Sequence, residues 1–155
     1  MTGQLRRTGG EGQESTEIAA TPREIMEVIA DFEAYPEWVS QMESAKILER
    51  DQEGRPAKAS FRVDSPLLSA NYTLAFTYLG EDRGMAWKYE AGSLRDLTGS
   101  YVLDPLEDGR TRVTYKLTVE LGIPLPGPLK RLAAKQIVKS ALLDLKTRAE
   151  RQARA

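Results

Sequence analysis

Residues 112–121 read RVTYKLTVEL, and apolar and polar side chains alternate along the whole stretch. Successive side chains of a β-strand point to opposite faces, so this pattern predicts a strand with one covered face and one face in water. The covered face would carry Val113, Tyr115, Leu117 and Val119. A sheet with one solvated face is typical of antiparallel pairing.

Five earlier segments have the same two-residue period. They are residues 44–50, 56–64, 70–79, 85–91 and 94–103. Most connections between them are turn-like and contain glycine, as at residues 51–54, 80–84 and 107–109. No helical pattern separates the segments, so we expect a meander of antiparallel strands. A short mixed run at residues 15–20 predicts a further strand at an edge of the sheet.

A helix start follows this first strand. Thr21 can cap a helix, Pro22 suits its first position, and Glu24 completes a capping box. The apolar residues that follow have helical spacing and predict one buried face: Ile25, Val28, Ile29 and Phe32.

Two more helices are predicted, one short and one long. Pro36 disfavours helical geometry at Tyr35, so the first helix should end before it, and a second short helix should carry Trp38. Beyond the proline-rich segment 122–128, a long helix should run to about residue 151. We expect its apolar stripe to repeat every fourth residue, at Leu129, Ala133, Ile137, Ala141 and Leu145.

This order of elements resembles the START-like helix-grip fold. The likeness rests on three stretches: residues 21–38 with their Tyr35-Pro36-Glu37-Trp38 segment, residues 109–115 (GRTRVTY), and the Leu125-Pro126 approach to the last helix. They resemble the polyketide cyclase/dehydrase and lipid transport superfamily, near its coenzyme Q-binding and aromatase/cyclase-like branches. The resemblance implies an α+β domain in which a curved antiparallel sheet of about seven strands (β-α-α-β6-α) wraps around the long C-terminal helix. It also implies a hydrophobic cavity between sheet and helix.

Alternation places most of the aromatic residues on the face of the sheet that turns toward this helix. Our candidate ligand-binding residues are Trp38, Phe61, Tyr72, Phe76, Trp87, Tyr89, Tyr101, Tyr115, Ala133, Ile137 and Ala141. Aromatic residues at strand spacing are also typical of a solid core, which is the alternative interpretation. Small residues on the facing helix, and several tyrosines that need hydrogen-bond partners when buried, favour a partly open pocket.

Two features near the expected mouth of the pocket have two interpretations each. Trp38 either packs the short helices onto the sheet or closes the pocket as a lid. The prolines of segment 122–128 form either a stiff linker, which we favour, or a gate that moves to admit a ligand.

The composition restricts the chemistry. The chain has neither histidine nor cysteine, which excludes disulfides, thiol nucleophiles, zinc fingers and Ser–His triads. Arg95 and Asp96 flank a strand start where one of them could reach the pocket, although surface charges beside a turn are the simpler interpretation. The catalytic residues, if the protein is an enzyme, stay unassigned, and we expect neither a metal nor a cofactor. The aromatase/cyclase resemblance implies catalysis by folding a reactive polyketide and excluding water, which does not require histidine.

The net charge of −1 hides an uneven distribution. Residues 126–155 contain eight Lys and Arg but two acids, a local charge of +6 that leaves −7 for the remainder. Lys135, Lys139 and Lys146 should form a solvated helix face, which is ordinary. The alternative is docking to an anionic membrane or an acidic protein. DNA is not an expected partner, and RNA is a lesser option because no aromatic residues interleave with these lysines.

Residues 1–14 are polar and lack the apolar core of a signal peptide, so we expect a disordered tail before a single domain, residues 15–152, of a cytoplasmic protein. Three functions suit this domain. The first is a non-enzymatic carrier or sensor of a hydrophobic, aromatic or isoprenoid-like small molecule. The second is a polyketide cyclase or aromatase that works by positioning its substrate. The third is an interaction module that uses the basic helix.

Overall fold

The computed structural model of the chain describes residues 10–66, 69–122 and 124–155. The strands are β1 (Gly10–Ile18), β2 (Met42–Arg50), β3 (Pro56–Asp64), β4 (Ser69–Tyr78), β5 (Gly84–Gly92), β6 (Asp96–Pro105) and β7 (Thr111–Glu120). The helices are α1 (Pro22–Ala30), α2 (Tyr35–Trp38) and α3 (Gly127–Arg154). Two 3₁₀ segments complete the order, Phe32–Ala34 and Glu107–Gly109.

The seven strands form one antiparallel sheet in the order β1-β7-β6-β5-β4-β3-β2. Strands β2 to β7 pair with their neighbours in sequence, as a meander requires, and β1 pairs with β7. The bounds of β2 to β7 all lie within two residues of the predicted ones. The curved sheet and the long C-terminal helix confirm the predicted helix-grip architecture.

The predicted start of α1 is confirmed. The backbone N–H of Glu24 donates to Thr21 Oγ1 at 3.2 Å, and the backbone N–H of Thr21 donates to Glu24 Oε1 at 2.8 Å. These reciprocal bonds satisfy two amides that the first helical turn leaves unpaired. The predicted apolar face is buried in the core: Ile25, Val28, Ile29 and Phe32.

The expectation that Pro36 would keep Tyr35 out of helical geometry is wrong. Helix α1 ends at Ala30 as expected, but Tyr35 has φ −54° and ψ −39° and begins α2. Pro36 is tolerated in the first turn of α2 because amides there have no partner within the helix. The Tyr35 hydroxyl donates to the carbonyl of Ile29, which holds its ring against α1.

Strand β1 begins at Gly10, so the predicted tail, residues 1–14, and the domain start at residue 15 are wrong for residues 10–14. Residues 1–9 of that tail lie outside the described residues. The glycines of β1 allow α3 to pack closely on it: a Cβ on Gly10 would lie 2.2 Å from the Lys130 carbonyl oxygen, and one on Gly12 would lie 3.0 Å from Val138 Cγ2. The polar, glycine-containing composition of residues 10–14 suggested a flexible tail, whereas Gly10 and Gly12 allow the close packing of α3 on β1.

The buried stripe of α3 also differs from the predicted one. It consists of Ala134, Val138, Leu142, Leu145 and Ala149. Of the predicted stripe, Leu145 is buried, while Leu129 and Ile137 are 49% and 36% exposed. Each step of four residues turns the helix about 40° past a full turn, so a stripe spaced only by four winds away from the core. The step of three between Leu142 and Leu145 corrects this drift.

Candidate functional site

Nine of the eleven aromatic residues form one connected group of rings, which we call the aromatic cluster. Neighbouring ring centroids in the cluster are 4.5 to 6.3 Å apart, which is the usual range for favourable aromatic pairs. Its members are Phe32, Tyr35, Trp38, Phe61, Tyr72, Phe76, Trp87, Tyr101 and Tyr115. The cluster therefore includes seven of the eight aromatic side chains that the sequence analysis assigned to a ligand site.

The centre of the cluster is set by strand register. Tyr101 of β6 lies directly opposite Tyr115 of β7, and their rings stack with centroids 4.7 Å apart and planes 20° apart. Trp87 of β5 lies beside both, with centroid distances of 5.5 and 5.6 Å. Its indole lies over Gly99, where a Cβ would approach Trp87 Cζ2 to 2.6 Å. The absence of a side chain at Gly99 therefore leaves the space that the Trp87 indole occupies.

Trp87, Tyr101 and Tyr115 are each 8% exposed, and we call them the donor triad. Among the described residues, neither the two hydroxyls nor the indole N–H of the triad has a hydrogen-bond partner. Every fully enclosed side-chain nitrogen or oxygen in this part of the chain does have one. The three unpaired donors are therefore not fully enclosed, although the side chains that carry them are buried.

The hydroxyls of the cluster remain protonated across the physiological range. Burial raises the pKa of Tyr72 to about 12. Burial also raises the pKa of Tyr101, and the nearby Asp144 carboxylate adds to that effect. The pKa of Tyr115 lies well above its ordinary value, chiefly because of burial and secondarily because of Tyr101 and Tyr72. These groups can donate hydrogen bonds, but they are poor bases near neutral pH.

Tyr89 is the predicted aromatic site residue that the structure does not bring into the cluster. Its hydroxyl donates to the Leu94 carbonyl at 2.7 Å, near the end of β5. Tyr78 behaves in the same way, with a 2.7 Å bond to the Pro56 carbonyl and the Arg55 guanidinium 4.5 Å from its ring centroid. Both hydroxyls are satisfied by the protein itself, unlike those of the donor triad.

The predicted helix residues lie beside the buried stripe of α3 and not within it. Ala133 and Ala141 are half-buried, Ala141 packs against the core, and Ile137 is exposed. Asp144 follows on the same side of α3, three residues after Ala141. The Asp144 carboxylate is also the charged group that contributes to the raised pKa of Tyr101, after burial.

Asp144 was not singled out by the sequence analysis. Its carboxylate accepts a 2.9 Å hydrogen bond from the backbone N–H of Ser40, just after α2. One turn further along α3, Arg148 pairs with Glu37 at 3.2 Å. The two contacts fasten α2 and its half-buried Trp38, which packs edge-on to Tyr35, against α3. Only the pairing of distant elements brings these residues together, so no local pattern indicates them.

Two depressions on the surface lie away from the donor triad. One is bordered by Glu33 and residues 47–50. The other, of about 260 Å³, lies between α1 and the turn after β4 and is bordered by Tyr78. Charged side chains make up most of the lining of the first depression and half of the lining of the second, and neither depression is bordered by a member of the donor triad.

The charged strand residues face water. Arg62 and Lys88 are exposed, as are Arg95 and Asp96, which confirms the simpler interpretation of that pair. No group of three or more acidic side chains that could hold a metal ion occurs among the described residues. In the same part of the chain, no helix is long and apolar enough to cross a membrane.

The basic helix divides into engaged and exposed cations. Lys146 donates to the Glu17 carbonyl at 2.7 Å and to Glu150 at 2.8 Å, so its inclusion among the docking lysines is not supported. Lys135 and Lys139 are exposed. On the outer side of the same helix, large apolar side chains are exposed as well: Leu129 (49%), Leu132 (52%) and Leu143 (64%).

Comparison with known proteins agrees with this geometry. The family model for polyketide cyclase/dehydrase and lipid transport proteins matches residues 18–146. A START superfamily protein from Mycobacterium smegmatis is 26% identical, with a TM-score of 0.85 over 93% of this chain and 99% of that chain. No curated protein matches the chain.

Two more distant structures share the fold. The Zhui aromatase/cyclase from Streptomyces sp. R1128 is 18% identical, with a TM-score of 0.72 over 94% of this chain and 96% of that chain. A STAR-related lipid transfer protein from Xanthomonas axonopodis is 16% identical, with a TM-score of 0.67 over 88% of this chain and 84% of that chain. At these identities the likeness concerns the fold alone.

Proposed function

The chain belongs to the polyketide cyclase/dehydrase and lipid transport family, and we propose that it binds a hydrophobic small molecule between the curved sheet and α3 as a carrier or sensor. The ligand would lie against the aromatic cluster, with Ala133, Ile137 and Ala141 of α3 on its other side. Aromatic rings supply large apolar contact areas, and small helix residues leave room for a guest.

One observation carries this proposal: the donor triad is nearly buried, yet its polar atoms have no partner among the described residues. A solid core would favour phenylalanine at such positions, because a fully enclosed hydroxyl without an acceptor is destabilising. Open space beside these donors is what a ligand pocket requires.

We favour carriage or sensing over catalysis because the polar groups of the donor triad are hydrogen-bond donors and poor bases. The tyrosine pKa values are raised, and the chain contains no histidine. A cyclase remains the second candidate, because protonated hydroxyls can orient the carbonyl groups of a polyketide. Turnover of a polyketide substrate that falls in a Tyr115→Phe variant, while the fold survives, would favour the cyclase.

The test of ligand binding is native mass spectrometry of protein purified gently from its own host. We expect a stoichiometric small lipophile that is lost on unfolding. The variant Ala141→Trp should exclude it by filling the space beside the cluster, while Gln136→Trp, exposed on the same helix, should retain it. Protein that carries no ligand in any variant, together with no thermal shift across a panel of lipophiles, would refute the proposal.

A second proposal concerns the outer side of α3, where we infer contact with an anionic membrane surface. Exposed leucines flanked by exposed lysines are the pattern of a helix that lies in a lipid interface. On α3 this pattern is formed by Leu129, Leu132, Lys135 and Lys139. Lys146 is not part of it, because its ammonium group is bonded within the protein. Each well-placed cation would add about 1 kcal/mol near an anionic bilayer.

A further inference from the structure

We infer that the ligand is a neutral, flat molecule whose oxygen acceptor, such as a ketone or quinone oxygen, is held by the hydroxyls of Tyr101 and Tyr115. This inference rests on the proposed function and specifies the ligand class. The side chains of directly opposed residues on antiparallel strands leave the sheet on the same face and close together. Because the two rings also stack nearly in parallel, we expect both hydroxyls to lie on the same side of the cluster.

The shape of the ligand follows from the surrounding rings. Trp87 lies beside both tyrosines, and Phe76 lies next to Trp87 with a centroid distance of 6.3 Å. This wall offers ring faces and edges but no charged side chain. Flat, unsaturated molecules gain most from such a surface, because aromatic pairs add energy beyond the apolar area that they bury.

The charge of the ligand follows from the distribution of ionic groups. The cations of the central strands, Lys88 and Lys116, lie on the solvated face of the sheet, away from the cluster. The charged group that influences Tyr101 is the Asp144 carboxylate, which is negative. An anionic headgroup would therefore lose its hydration without gaining a counter-ion, which is strongly unfavourable. A neutral carbonyl oxygen accepts from two hydroxyls without that cost.

A pair of probes with the same shape tests this assignment. Fluorene and 9-fluorenone differ in a CH₂ group replaced by C=O, and isothermal titration calorimetry with the full chain gives the affinity for each. Two hydrogen bonds to the carbonyl predict that fluorenone binds about tenfold more tightly than fluorene. In the Tyr101→Phe/Tyr115→Phe variant we expect this preference to fall below about twofold, with the fluorene affinity unchanged.

Tyr78→Phe is the matched control, because its hydroxyl is bonded to the Pro56 carbonyl and its ring lies outside the cluster. It should keep the full preference for fluorenone. Equal affinities for both probes in the native protein would overturn the inference and leave hydrophobic binding intact. A preference that survives in the double variant would overturn the assignment to these tyrosines. Absence of binding by both probes would overturn the inference, whereas the proposed function fails only if the protein also carries no ligand and shows no thermal shift across the panel of lipophiles.

Discussion

Removing the hydroxyl of Tyr101 or Tyr115 should leave the free energy of unfolding unchanged or raise it slightly. Neither hydroxyl has a partner among the described residues, so the change to phenylalanine breaks no bond there and removes a poorly hydrated polar group. Tyr78→Phe and Tyr89→Phe should behave in the opposite way. Their hydroxyls donate to backbone carbonyls at 2.7 Å, and each carbonyl would be left without this donor.

The expected difference can be measured. A net hydrogen bond contributes about 0.5–1.5 kcal/mol, so Tyr78→Phe and Tyr89→Phe should each lose about that much stability, whereas Tyr101→Phe and Tyr115→Phe should change by less than about 0.5 kcal/mol. For a domain of this size, 1 kcal/mol corresponds to a shift in Tm of about 2–4 °C. Urea unfolding followed by circular dichroism gives the midpoint and the slope for each variant, and an unchanged slope attributes the effect to stability.

The relative stability of Tyr101→Phe and Tyr78→Phe can refute the proposed pocket. If Tyr101→Phe destabilises the ligand-free protein as much as Tyr78→Phe does, its hydroxyl has an internal partner. The donor triad would then be part of an ordinary core, and both the ligand pocket and the proposed acceptor would lose their support. If the ligand-free protein is unaffected but its stabilisation by ligand is reduced, the hydroxyl serves binding alone.

Three more perturbations follow from the contacts described above. Gly99→Ala should destabilise the fold by about 1–3 kcal/mol and alter tryptophan emission, because its Cβ would lie 2.6 Å from both Trp87 and the Lys116 carbonyl oxygen; unchanged emission would contradict the placement of the indole. Glu150→Gln should cost about 1–2 kcal/mol at pH 7, because the carboxylate accepts from Lys146 and from the Ala19 N–H, which lower its pKa. The contribution of Glu150 is present above the unfolded pKa of about 4.3 and is lost as the pH falls through the lower folded pKa. The urea midpoints of the native protein and of Glu150→Gln should therefore converge on acidification. A constant difference between the two midpoints would contradict this role of Glu150. Lys135→Glu/Lys139→Glu should abolish co-sedimentation with phosphatidylserine vesicles at low salt, while Lys88→Glu/Lys116→Glu, with the same net charge, should not; loss in both would indicate a general charge effect.

The strands were predictable because their apolar and polar residues alternate, and successive side chains of a strand point to opposite faces of the sheet. In β7 the alternation assigns every side chain to a face, and the register with β6 then brings Tyr101 and Tyr115 together. The capping box of Thr21 and Glu24 is equally local, and it locates the start of α1. Once the order and register of the strands are known, the side chains that face one another across neighbouring strands can be predicted.

The errors came where a distant element decides the outcome. Residues 10–14 have the composition of a tail, yet they form a strand because β7 pairs with them and α3 requires glycine at Gly10 and Gly12. The buried side of α3 depends in turn on β1, and its sequence is too weakly patterned to reveal that side. The role of Asp144 depends on Ser40, which is 104 residues away in the chain.

The same close packing also supports the proposed ligand site at the donor triad. Helix α3 runs alongside β1, with Lys130 near Gly10 at one end and Lys146 near Glu17 at the other, so the axis of the helix is held at one edge of the sheet. The triad lies on β5, β6 and β7, further across the sheet. In the proposed site, the helix residues beside the triad are Ala133 and Ala141, and their short methyl groups would leave room for a ligand. A larger residue there would complete the core and pair no donor, and we therefore expect the small side chains of α3 and the unpaired hydroxyls to serve one purpose, the accommodation of a ligand.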